Sequence, residues 1–268
     1  MYTREKTQVV KVRNCYIGGG YPVVVQSMAN ADPHDAEAIL SQIQKLSAAG
    51  CELVRLAVPD HDAVAVFGQV CQSSRVPLIA DIHFDYRLAL AVIAAGAAKV
   101  RINPGNIGSE DRVAQVLQAA KKAGIPIRIG VNSGSLPKDL LEKYGVSPQA
   151  MVAAADRYIR LCAKYDFSNL VFSLKASTVP LAVEASLEFA RRYPFPQHLG
   201  ITEAGPPEVG IIKSAAGLGA LLGQGIGDTI RVSLTGDPVQ EVEVAYSILQ
   251  TFNLREYGPQ LVSCPTCG

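Results

Sequence analysis

Five cationic side chains, Arg55, Arg101, Arg128, Lys175 and Arg231, lie in short runs of β-branched residues that end in polar or glycine-bearing sequence. Arg101 leads into Ile102-Asn103-Pro104-Gly105-Asn106, Arg128 into Ile129-Gly130-Val131-Asn132-Ser133-Gly134, and Arg231 into Val232-Ser233-Leu234-Thr235-Gly236. Side chains alternate faces along a strand, so Asp81 with His83, Arg101 with Asn103, Ser173 with Lys175, and Arg231 with Ser233 each share one face. Cations gathered at one place repel unless a multiply charged anion sits among them, and a phosphate or diphosphate meets that need. Hydroxyl and backbone N–H groups around Asn132-Ser133-Gly134 and Ser233-Leu234-Thr235-Gly236 extend the donor set, since glycine lets the backbone approach closely. For any one arginine the alternative is a pairing with a nearby carboxylate or an outward orientation.

Glu203 is the carboxylate beside this basic set, and a poorly solvated carboxylate there can transfer a proton. Its structural alternative is a salt bridge to Lys175 or Arg231. His83 shares a face with Asp81 and has a hydrogen-bonding or purely structural role open to it. His34, His61 and His198 fall in helix-start or loop contexts and receive no role. The last six residues contain Cys264-Pro265-Thr266-Cys267-Gly268, a C-x-x-C spacing that turns two sulfurs toward one metal centre. Two thiolates do not complete a site, so zinc, a disulfide and an iron–sulfur cluster all stay open at this point. Cys15, Cys51, Cys71 and Cys162 are scattered and read as ordinary small buried or half-buried residues.

Eight strand-then-helix units position these residues. The strands are expected at Val23–Met28, Leu53–Val58, Leu78–Ile82, Lys99–Pro104, Ile127–Val131, Leu170–Lys175, Leu199–Ala204 and Thr229–Leu234. Helical spacing follows each at Asp35–Ala49, Asp62–Ser74, Asp85–Ala95, Ser109–Ala123, Ser147–Tyr165, Val179–Arg192, Pro207–Leu222 and Pro238–Phe252. Asp32 or Asp35, Ser109 and Ser147-Pro148 are start signals, while Gly50, Gly96 and Gly124 are stops. Before the first unit, a hairpin from Gln8 to Val12 is expected to turn near Gly18-Gly19-Gly20. The whole predicts a TIM (β/α)8 barrel with an N-terminal β-hairpin, whose chemistry sits at the C-terminal ends of the strands. Glycines at 217–227 fall in the seventh helix and its exit, which excludes a dinucleotide fingerprint at a strand-to-helix turn.

Composition agrees. The chain has 268 residues, 49% hydrophobic and 18% charged, the balance of a parallel sheet buried under helices. A net charge of +1 gives no global basic field for nucleic acid or an anionic membrane surface, so any anion site is local. The polar N-terminus and the lack of a long apolar run predict a cytoplasmic protein.

The ordered motifs Val25-Gln26-Ser27-Met28, Ile79-Ala80-Asp81-Ile82-His83-Phe84, Val100–Asn106, Ile127–Leu136, Ser173–Ser177, Leu199–Gly205, Gly227–Thr235 and the closing Cys-Pro-Thr-Cys-Gly resemble the (E)-4-hydroxy-3-methylbut-2-enyl diphosphate synthase family of the methylerythritol phosphate pathway. The resemblance implies reductive ring opening and dehydration of 2-C-methyl-D-erythritol 2,4-cyclodiphosphate, with a 4Fe-4S cluster delivering electrons from ferredoxin or flavodoxin. It further implies substrate contacts from Arg55, Arg101, Arg128, Asn132, Lys175, Thr202, Arg231 and Ser233. Protonation chemistry falls to Glu203, with Asp81 and His83 nearby. Cys264 and Cys267 would be two cluster ligands, residues 1–262 the barrel, and 263–268 the start of a C-terminal iron–sulfur domain that is not in this sequence. On that reading the chain binds substrate but is inactive alone, and the full-length protein is a homodimer. Ala29 and Ala31 stand where many relatives carry threonine, which puts hydroxyl contacts there in doubt. The competing expectations are another phosphate-binding barrel, acting on a pterin or sugar phosphate, and a non-catalytic barrel binding zinc.

Overall fold

A computed structural model describes residues 4–259, except for the side chains of Pro104 and Gly105. An antiparallel pair comes first, β1 (Val10–Val12) and β2 (Cys15–Ile17), with Val12 opposite Cys15. The turn is therefore Arg13-Asn14, with Arg13 at φ 52, and not the glycines at 18–20 that the sequence suggested. Those glycines follow the hairpin. Gly18, at φ 86, lies so close to Gln8 that an added Cβ would stand 2.2 Å from its carbonyl oxygen.

Eight parallel strands follow: β3 (Val24–Met28), β4 (Leu53–Ala57), β5 (Leu78–Asp81), β6 (Lys99–Ile102), β7 (Ile127–Asn132), β8 (Leu170–Lys175), β9 (His198–Leu199) and β10 (Thr229–Ile230). Their order is β8-β7-β6-β5-β4-β3-β10-β9, and a bridge between Phe172 and Gln197 joins the two edges into a barrel. The last two strands keep only two residues each, where six were expected. Beyond Leu199 and Ile230 the chain leaves the sheet to form the mouth. His198, expected in a loop, lies in β9 and is buried.

Ten helices surround the strands among the described residues: α1 (Ala36–Ala48), α2 (His61–Ser73), α3 (Tyr86–Ala94), α4 (Pro104–Ile107), α5 (Glu110–Ala123), α6 (Lys138–Tyr144), α7 (Pro148–Lys164), α8 (Val179–Arg192), α9 (Pro207–Leu222) and α10 (Pro238–Thr251). Eight match the expected set, while α4 and α6 are short additions to the loops after β6 and β7. Two of the start signals act as caps, Asp35 accepting from the Ala38 N–H at 2.9 Å and Ser147 from Ala150 at 3.2 Å, while Ser109 takes the N-cap position of α5 without a side-chain hydrogen bond. Gly124 ends α5 with left-handed backbone at φ 69. No described helix is long and apolar enough to cross a membrane.

Strand alternation divides the core. Outward residues such as Val25, Val54, Leu56, Ala80, Val100, Ile129 and Phe172 pack under the helices as one apolar cluster. Inward residues behave differently from the filled aliphatic layers usual in such barrels. At the start of the strands, Val24, Leu53, Ile79 and Val171 pack against Val10, Val12 and Ile17, so the hairpin plugs the bottom of the barrel. One step further along, the same face carries Gln26, Arg55, Asp81 and Ser173.

Candidate active site: a cationic barrel mouth

Three neighbouring strands place Asp81, Arg101 and Arg128 side by side in register. Met28 pairs with Arg55, and Asn132 with Lys175. Arg55, Arg101, Arg128 and Lys175 are all buried, and Arg231 is half-buried just past β10. Arg128 and Lys175 each lie within electrostatic reach of the other four, which is the convergence expected from the sequence. Arg128 is the most buried of the five, at 1% exposure.

Two carboxylates neutralise part of this charge. Asp81 faces Arg101 Nη1 at 3.0 Å, Arg55 Nε at 3.4 Å and His83 Nε2 at 3.5 Å. Burial alone would raise its pKa, but Arg55, His83 and Arg101 hold it far below the usual carboxylate range. Asp81 is thus held as an anion between two guanidiniums. The second carboxylate, Glu241 on α10, went unnoticed in the sequence because it sits inside a helical pattern. It takes Arg231 in a two-pronged contact, Nε to Oε2 and Nη2 to Oε1, each 3.2 Å.

Arg128 and Lys175 form no ion pair among the described residues. Burial and the neighbouring arginines press the Lys175 pKa well below its ordinary value. Nε and Nη1 of Arg128 are buried without a hydrogen-bond partner. Lys99, deeper in the barrel and fully buried, has its pKa brought down to about 7 by desolvation and by Arg128. His198 is held neutral in the same way, its pKa lowered by burial and then by Arg128 and Lys175. Lys99 and His198 belong to this electrostatic set but were not singled out in the sequence. The inward register of Lys99, two residues before Arg101, was the available signal.

Small residues make the cations fit. A Cβ on inward-facing Gly130 would stand 3.0 Å from Arg101 Nε, and one on Gly200 would stand 2.8 Å from both Lys175 Nζ and the Arg231 carbonyl oxygen. Met28 supplies its sulfur to Arg55, at 3.1 Å from Nε and 2.8 Å from Nη2. Asn103 donates to Ser135 Oγ at 3.1 Å, tying the loop after β6 to that after β7. Asn132, Thr202 and Ser233 are all half-buried at strand ends or in the loops beyond them.

Glu203 lies exposed in the turn after β9, with left-handed backbone at φ 54. Neither of the salt bridges considered for it forms: Arg231 is taken by Glu241 instead. Non-glycine residues adopt such backbone at a cost of roughly 1–3 kcal/mol, which the surrounding structure must offset. His83, also exposed, remains beside Asp81.

A sequence model of the GcpE TIM-barrel domain matches residues 7–246. The chain belongs to this family. Among curated relatives, 4-hydroxy-3-methylbut-2-en-1-yl diphosphate synthase (flavodoxin) of Natranaerobius thermophilus is 54% identical over 269 residues, covering 100% of the chain and 75% of the relative. The enzyme of the same name from Caldanaerobacter subterraneus subsp. tengcongensis is 52% identical, covering 99% and 75%. Among solved structures, dihydropteroate synthase from Stenotrophomonas maltophilia superposes with a TM-score of 0.68 over 95% of the chain and all of its own, at 17% identity. That likeness speaks for the barrel alone.

Family membership also bears on the cysteines. Cys51, Cys71 and Cys162 are buried and Cys15 half-buried, all free, with thiol pKa values pushed up by burial to about 12, 11, 12 and 11 respectively. Protonated, separated thiols do not fit a metal cluster. Among the described residues no group of three metal-ligating side chains occurs. Cys264 and Cys267 lie outside the described residues, as does the expected domain boundary at 262.

Proposed function

We propose that this chain is the substrate-binding barrel of isoprenoid precursor biosynthesis, in which 2-C-methyl-D-erythritol 2,4-cyclodiphosphate is reductively opened and dehydrated to 4-hydroxy-3-methylbut-2-enyl diphosphate. The observation that carries this reading is the pair of buried cations, Arg128 and Lys175, set among Arg55, Arg101 and Arg231 with no carboxylate of their own. Such a cluster fits a substrate that brings two linked phosphates. The relatives are named as synthases of a matching diphosphate product.

In this reading Arg55, Arg101, Arg128, Lys175 and Arg231 bind the diphosphate, while Asn132, Thr202 and Ser233 add neutral donors. Asp81 orients Arg55 and Arg101, with His83 beside it. Glu203 holds or delivers a proton at the departing oxygen. Cys264 and Cys267 would be two of the ligands of a 4Fe-4S cluster, which would supply the two electrons when bound. Flavodoxin, which the relatives' names mention, is the favoured electron donor over ferredoxin, and the protein would work as a homodimer.

Calorimetry with the cyclodiphosphate tests the reading. Binding is expected, weakening as salt rises and lost in an Arg128→Met, Lys175→Met double variant. A wild-type chain that does not bind the cyclodiphosphate overturns it. An anaerobic preparation of the full-length protein lacking a brown chromophore, or keeping it after Cys264→Ser and Cys267→Ser changes, rejects the cluster assignment.

A further inference from the structure

The face of α10 nearest the mouth bears a carboxylate that touches three parts of the barrel rim. Glu241, in the first turn of α10, is 3% exposed. Its Oε2 accepts from Ser27 Oγ on β3 at 3.0 Å and from Arg231 Nε at 3.2 Å. Its Oε1 accepts from Arg231 Nη2 at 3.2 Å and from the Leu234 N–H at 3.0 Å. Both oxygens are thus used twice, and no acceptor capacity is directed at solvent. Two of the guanidinium's three nitrogens are committed. The third, Nη1, has only the weak acceptor Met28 Sδ at 3.8 Å.

A carboxylate beside an anion site is electrostatically the wrong group. Its charge opposes the ligand, and it is retained here although Glu241 is buried and Arg231 half-buried, so that both charges cost desolvation free energy. What it provides is geometry: a planar fork held on both prongs loses little further freedom when its last edge takes a ligand. We propose that Glu241 is a positioning residue that fixes Arg231, so that Nη1 is presented to the bound diphosphate. It acts through Arg231 and has no contact with the substrate itself. The inference rests on the function proposed above for the ligand's identity, but its test does not.

The test is pyrophosphate and cyclodiphosphate binding by calorimetry to the wild-type chain and to Glu241→Gln, with the thermal midpoint recorded alongside. Positioning and simple charge predict opposite signs. Removing a negative charge near an anion site tightens binding by Coulomb's law, whereas freeing Arg231 weakens it, here by about tenfold. A double-mutant cycle gives the second readout: once Arg231 is Met, the Glu241→Gln change should cost nothing more. Ser27→Ala, which keeps the charge but removes one anchor, should weaken binding about threefold and serves if Glu241→Gln does not fold.

Tighter or unchanged pyrophosphate binding in Glu241→Gln, or losses that simply add to those of Arg231→Met, overturns the proposal. Should Glu241→Gln not fold, unchanged binding in Ser27→Ala overturns it. A wild-type chain that binds pyrophosphate but not the cyclodiphosphate defeats the assigned substrate, and the pyrophosphate series still decides on Glu241. One that binds neither defeats both.

Discussion

Arg128 and Lys175 differ from the other mouth cations in lacking a carboxylate, and their substitution should separate binding from stability. Arg128→Met or Lys175→Met removes a buried charge that desolvation opposes, so the unliganded chain should melt higher while pyrophosphate affinity falls by about 10–100-fold. A lower melting point with unchanged affinity would show that these cations are structural. Asp81 behaves oppositely: Asp81→Asn strands Arg55 and Arg101, with an expected loss of roughly 3–5 kcal/mol in denaturant unfolding. Because its folded pKa is depressed, the Asp81 contribution is present above the unfolded value near 3.9 and lost as pH falls below that value toward the folded one. Lys99 has the reverse sign from a paired lysine. Its folded pKa of about 7 lies below the unfolded value near 10.4, so the unfolded chain binds more protons between them and stability rises with pH across that window. Denaturant titrations from pH 7 to 10 should show this slope reduced in Lys99→Met, and an identical slope in both proteins would refute it. The types of these residues were legible in the sequence. Their pairing was not, since Asp81 meets Arg101 across 20 positions and Arg231 meets Glu241 on another element.

At the scale of elements, each inward cation depends on what the neighbouring strand leaves out. Gly130 on β7 and Gly200 just after β9 yield the space that Arg101 and Lys175 occupy. Gly200→Ala places a methyl against Lys175 and a backbone carbonyl, and should reduce pyrophosphate affinity about tenfold with a stability loss of about 1–3 kcal/mol. Gly200→Ala binding as wild type in calorimetry would mean that Lys175 has room to move. Helix and strand order followed from periodicity and caps, because those signals are local: Asp35, Ser147 and Gly124 act within one turn of their own position. The shortness of β9 and β10 was not legible. Leu199–Ala204 and Thr229–Leu234 have strand-like composition, yet past Leu199 and Ile230 both segments leave the sheet for the mouth, one through Glu203 and Gly205 and the other through the Glu241 contacts to Arg231 and Leu234. The hairpin is legible in the sequence but the position of its turn is not, since glycine clusters favour turns without saying which one closes a hairpin.

For the molecule as a whole, the barrel concentrates cations although the net charge is only +1. An anion that binds the folded state alone should therefore stabilise it, by about 2.7 kcal/mol at 100 times Kd, and raise the melting temperature as its concentration rises. Pyrophosphate should do so more strongly than chloride at equal ionic strength, and equal shifts would reduce the effect to screening. The sequence by itself determined the eightfold alternation, the parity that turns Arg55, Asp81, Arg101, Arg128 and Lys175 to one face, and the family. All three rest on residue type and short-range spacing. Tertiary structure alone decided that the hairpin closes the barrel bottom, that Lys99 and His198 lie buried within reach of Arg128, and that a helix carboxylate clamps Arg231. Those outcomes depend on which residues meet across a closed sheet, and the sum of desolvation and Coulomb interactions at such a meeting has no local signature in the chain.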